Sequence, residues 1–164
     1  MSVKTRIVKF GIVGVALASV FLLGASRSAD SRFKRAISLS PAGQNLPFSD
    51  GIVAGNTLYI AGQQGADENG KLKDGIGPQT HGALEAIQKV VKSAGFEMKD
   101  IVSVTVYLAD INDFAEMNKA YSSIMPDPKP ARATVQAAAL VGGAKIEISA
   151  IAVRDPRAFQ NIQR

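Results

Sequence analysis

Two amphipathic stretches, residues 78–95 and 111–125, are all the helix this chain offers to cover six strand-like segments. In the first, Leu84, Ile87, Val90, Val91 and Ala94 recur at helical spacing, Pro78 suits a first turn and Gly95 a left-handed stop. In the second, Phe114, Met117, Tyr121 and Ile124 form one apolar stripe. The strands read as 36–40, a hairpin of Ile52-Val53 and Leu58–Gly62 turning at Gly55-Asn56, then 100–110, 132–140 and 144–153. The order β-β-β-α-β-α-β-β predicts an α+β domain with both helices on one face of a sheet. Two helices cover one face only, so the other needs a different cover.

The pattern of the strands says what that cover is. In residues 145–153, Ile146, Ile148, Ala150 and Ala152 share one face, and Lys145, Glu147, Ser149, Ile151 and Val153 the other. In residues 132–137, Arg132, Thr134 and Gln136 alternate with Ala133, Val135 and Ala137. A face of small, mixed side chains suits burial against further copies of the chain, and a homo-oligomer is expected.

The first 26 residues are of another kind. Lys4, Arg6 and Lys9 precede an uncharged run from Gly11 to Ala25, with Gly24 and Ser26 at the small-residue spacing of a cleavage site. This predicts a signal peptide or, if uncleaved, an N-terminal anchor, with the domain exported to the periplasm or beyond. Membrane contact is expected only through that segment. Residues 27–35 read as a linker, with Arg32 to Arg35 as its solvated end, 36–155 as the domain and 156–164 as a tail. Without the three leading cations the formal charge of +5 falls to +2, and the remaining basic residues are scattered, so nucleic acid is not an expected partner.

The chain has no cysteine, which excludes disulfides, thiolate catalysis and cysteine-bound zinc. His81 is the sole histidine, without a second ligand at metal spacing, and reads as a surface residue near a helix start. Asp110, Asn112 and Asp113 read as helix-capping residues. No metal or organic cofactor is expected. What remains is Arg132 and Glu147, charged residues on strands expected to be well covered, and neighbours if the turn at Gly142-Gly143 joins them. A guanidinium fork matches a carboxylate, and a nearby carboxylate can hold a water, which suits a small 2-oxo or 2-imino acid. The alternative is that the two pair with each other at an interface.

Four segments, "LYIAGQ", "KDIVSVTVYLADINDFAEMNKAY", "PARATVQ" and "KIEISAIAV", occur in the order and spacing of the Rid family. The chain resembles these reactive intermediate (imine) deaminases, long labelled endoribonuclease L-PSP, from about Ala36 to Arg154. The resemblance implies a chorismate-mutase-like fold and a homotrimer, with the sheets forming a central barrel and clefts between subunits. It implies hydrolysis of 2-iminopropanoate- or 2-iminobutanoate-type acids to 2-oxo acids and ammonia, without a cofactor. By position, Arg132 would clamp the substrate carboxylate and Glu147 would place the attacking water. Asn118 and Gly62 match further cleft residues. Three binding positions depart from the family pattern: Ala61 stands for a serine, Phe48 for a tyrosine and Thr134 for a cysteine. A trimer of the same fold that binds small carboxylates without turning them over is the alternative.

Overall fold

The computed structural model describes residues 33–39 and 46–155. The predicted leader, residues 1–26, and the tail, 156–164, lie outside the described residues. No helix among the described residues is long and apolar enough to cross a membrane.

Among the described residues six strands and two α-helices form in the predicted order: β1 (Lys34–Ile37), β2 (Gly51–Ala54), β3 (Thr57–Gln64), α1 (Ile76–Ala94), β4 (Ile101–Leu108), α2 (Phe114–Ile124), β5 (Ala131–Gln136) and β6 (Ile146–Val153). Gly55, at φ 60°, turns the β2–β3 hairpin. Gly95, at φ 80°, ends α1, its N–H bonding back to Lys92 and that of Phe96 to Val91. Asp110 accepts from the N–H of Asn112 at 2.9 Å, opening the short turn that leads into α2, the capping role its sequence position predicts.

The sheet order is β1-β2-β3-β6-β4-β5. Every pairing is antiparallel except β4 with β5, where α2 supplies the crossover a parallel pair requires. β6 is therefore central, and its alternation decides the core. Ile146, Ile148, Ala150 and Ala152 are buried under the helices with Leu58, Ile60, Val104, Val106 and Leu108. Leu84, Ile87, Val90 and Val91 of α1 and Met117 and Tyr121 of α2 close over them. Burying an aliphatic side chain of this size contributes about 1.5–3 kcal/mol. Phe114, expected on the buried stripe of α2, is 40% exposed, because it sits at the helix's first turn beyond the core.

Among the described residues no helix covers the opposite face. Tyr59, Ser103, Thr105, Ser149 and Ile151 border a shallow depression of about 120 Å³ there. Tyr59 and Val135 are each close to half exposed.

Three expectations need correction. β1 starts at Lys34, so the last basic residues of the expected linker belong to a strand, and the Arg35 guanidinium donates to the Ala94 carbonyl at 3.0 Å. β5 ends at Gln136 instead of 140, and the chain turns at 141–143 with Gly142 and Gly143 both at positive φ. The strands of Arg132 and Glu147 are not neighbours. β4 lies between them, because the chain after the Gly142-Gly143 turn enters the middle of the sheet instead of folding back on β5.

Candidate active site

Residues paired across a sheet share a face. Arg132 pairs with Val104, whose side chain lies under the helices. Glu147 pairs with Tyr107 on β4 and with Gln64 on β3, on the open face. The two charges therefore occupy opposite faces of one sheet, two strands apart. They do not form an ion pair, and one small acid cannot touch both within a single chain. The structure gives two half-sites.

The first half-site sits at the edge strand β5. The Arg132 guanidinium donates to Asn118 Oδ1 at 2.6 Å, and its carbon lies 4.6 Å from the centre of the Tyr121 ring and 5.9 Å from that of Phe114. An amide oxygen and aromatic faces hold the cation in place without neutralising it. Among the described residues no carboxylate pairs with Arg132. The guanidinium opens on a cavity of about 480 Å³ lined also by Asn118, Tyr121, Ser122, Lys129 and Pro130. Burial raises the Tyr121 phenol above its ordinary pKa, against the pull of the Arg132 cation, so it stays protonated. The Tyr121 hydroxyl and Thr134 Oγ1 are both buried without a hydrogen-bond partner among the described residues. Leaving such a group unmet costs about 1–3 kcal/mol. Thr134 lies two residues beyond Arg132, hence on the same face of β5.

The second half-site forms where β3 is irregular. The register between β3 and β6 shifts between Ile60 and Gln63, so that Ala61 and Gly62 form a bulge beside Glu147. The Glu147 carboxylate rests over Gly62 so closely that a Cβ there would be 2.1 Å from Oε1. The other oxygen, Oε2, accepts from Gln64 Nε2 at 2.9 Å. A cavity of about 490 Å³ opens beside it, walled by Phe48, Ala61, Gly62 and Val141 among others. Phe48 is 59% exposed and offers a ring edge to whatever enters.

Of the residues proposed from the sequence, Arg132, Asn118 and Thr134 thus gather in one half-site and Glu147, Gly62, Ala61 and Phe48 in the other. His81 lies half-buried on α1, its Nε2 3.4 Å from Ser123 Oγ, away from both. Among the described residues no three His, Asp or Glu side chains gather as a metal-binding group. Sequence reasoning missed Tyr121 as the seat of the arginine, because helical spacing marked it only as core. It also missed Gln64, whose polar side chain on a central strand was the available signal.

The family model described as Endoribonuclease L-PSP matches residues 40–154. A human protein named 2-iminobutanoate/2-iminopropanoate deaminase is 39% identical over 129 residues, covering 77% of this chain and 94% of the human protein. A RutC family protein of Pyrococcus horikoshii is 43% identical over 111 residues, covering 66% of this chain and 88% of that protein. Among solved structures, RidA from an Antarctic Psychrobacter superposes with a TM-score of 0.66 at 36% identity, covering 71% of this chain and 94% of that one. TdcF of Escherichia coli with bound serine does so with a TM-score of 0.66 at 31% identity, covering 74% of this chain and 94% of that one.

Proposed function

The chain belongs to the endoribonuclease L-PSP family, and on that footing we propose that it hydrolyses small 2-imino acids to 2-oxo acids and ammonia. The observation that carries this reading is Arg132, an arginine seated on Asn118 and Tyr121, with no carboxylate paired to it among the described residues and a cavity in front of it. Such a cation is ready for an anion from outside. The curated human relative is named for this activity. The serine bound in TdcF is itself a small α-amino carboxylate, close in shape to a 2-imino acid.

The opposite placement of Arg132 and Glu147 supports an assembled site. In a homotrimer whose open sheet faces turn inward, the Arg132 edge of one subunit lies against the Glu147 cavity of the next. The substrate carboxylate then binds Arg132, and its C=N carbon faces Glu147 across the subunit boundary. Thr134 and the Tyr121 hydroxyl, unpartnered among the described residues, then have a neighbouring subunit from which to draw polar partners.

The chemistry asks little of the protein, because a protonated imine is already electrophilic. Glu147 holds a water and takes its proton as the oxygen adds to the C=N carbon. Glu147 passes that proton to the carbinolamine nitrogen and is ionised again; the C–N bond then breaks as the C=O bond forms, and the hydroxyl proton leaves with the ammonia as ammonium. Arg132 supplies orientation throughout. A ribonuclease reading, which the family's description invites, would need a basic groove or paired histidines, and the chain has one histidine.

The test generates 2-iminopropanoate in situ and lets semicarbazide compete for it; the domain is expected to divert the imine to pyruvate before it is trapped. Binding of 2-oxobutanoate without any such diversion would select the non-catalytic carboxylate-binding trimer, a reading that Ala61 and Phe48 favour because neither brings a hydroxyl to the cavity. The basic and apolar run of residues 1–26 supports export of the domain. Cell fractionation tests this, and recovery in the cytoplasm alone would reject it.

A further inference from the structure

We propose that Gln64 is a positioning residue for Glu147, an inference that rests on the catalytic reading above. Gln64 ends β3 and is the direct cross-strand partner of Glu147. Its amide nitrogen donates to Glu147 Oε2 at 2.9 Å and to the Val141 carbonyl at 3.1 Å. A side-chain amide has two N–H donors, and here both are taken by oxygens. Those partners also fix which way the amide faces. The flipped arrangement would set its oxygen against a carboxylate and a carbonyl with no hydrogen between them.

Three consequences follow for the carboxylate. Oε2 is held, while Oε1, which lies over Gly62, has no hydrogen-bond donor among the described residues and is the oxygen left for a water. The holding group is neutral, so it fixes the side chain without cancelling the charge a general base needs; an arginine or lysine there would cancel it. The glutamate's rotamer freedom is removed before substrate arrives, so less ordering is left for the reaction step. The bond to Val141 also ties the carboxylate to the turn at 141–143, whose Val141 side chain is 82% exposed at the cavity rim.

The test compares the unsubstituted protein with Gln64→Met, which keeps length and volume but has no donor, alone and combined with Glu147→Gln. Gln64→Met is expected to lower kcat for 2-iminopropanoate about tenfold. KM should stay within about twofold, because the substrate carboxylate is held at Arg132 and not here. In the Glu147→Gln background the Gln64→Met change should have no further effect on kcat, since the group it positions is gone. An unchanged kcat in the single variant, a loss confined to KM, or full additivity in the double variant overturns the proposal. If the unsubstituted protein shows no imine turnover, it is the catalytic reading that fails. A crystal structure of Gln64→Met then decides the positioning role by itself, a displaced or multiply placed Glu147 carboxylate upholding it and an unmoved one overturning it.

Discussion

Arg132→Ala is expected to raise KM for 2-iminopropanoate by about 10- to 150-fold, the equivalent of losing a charge-assisted hydrogen-bonded pair of about 1.5–3 kcal/mol. Among the described residues the guanidinium makes one hydrogen bond, to Asn118, and otherwise rests on aromatic faces. Its removal leaves the buried core untouched, so the melting temperature should change little. The Tyr121 ring beneath it remains packed, since that ring is 4% exposed and belongs to the core. Arg132→Lys should recover only part of the loss, because an ammonium has neither the planar fork for a carboxylate nor the same stacking on Tyr121. Steady-state kinetics on freshly generated imine measure both. A KM that stays put in the alanine variant would remove Arg132 from substrate binding.

The second large effect is expected from a single methyl group. In Gly62→Ala the new Cβ would stand 2.1 Å from Glu147 Oε1, 2.7 Å from its Cδ and 2.9 Å from its Cγ. Real Cβ atoms do not approach other heavy atoms so closely, so the glutamate must swing away. The obstacle is a flexible side chain and not backbone, which makes the change tolerable to the fold but not to the geometry. Displacing a reacting group by about an ångström costs on the order of a hundredfold in rate, and kcat should fall by that amount. Binding of 2-oxobutanoate, held at the other half-site, should persist in calorimetry. Retained turnover in Gly62→Ala would mean that Glu147 need not lie where the structure puts it.

The fold was legible where periodicity speaks for itself. The alternation of Ile146, Ile148, Ala150 and Ala152, and the helical stripe from Leu84 to Ala94, put those residues in the core, and they are there. Gly95 ended its helix where a left-handed residue was expected. Topology was less legible. Short connections favour adjacent strands, and the Gly142-Gly143 turn suggested such a pair. Yet the last strand slots between β3 and β4, and nothing local in residues 137–145 encodes that choice. The site suffered the same way. Residue type singled out Arg132 and Glu147, but pattern alone could not say that they lie on opposite faces of the sheet. That depends on which strand pairs with which, and on the bulge at Ala61-Gly62. Gln64 carried only the signal of a polar residue on an inner strand, because its partner lies 83 residues away, and Tyr121 was marked by helical spacing as core alone, its contact with the Arg132 guanidinium arising only once α2 packs beside β5.

The central claim is that each working site takes its arginine from one subunit and its glutamate from another. Mixing decides it. Arg132→Ala and Glu147→Gln, each feeble alone, are unfolded together in equal amounts and refolded as mixed assemblies. If the site spans two subunits, random assembly rebuilds about one quarter of the sites with both residues intact, and imine hydrolysis should return to about that fraction of the unsubstituted rate. Activity that stays at the level of the separate variants, in mixtures shown by sedimentation to have exchanged subunits, would contradict the account.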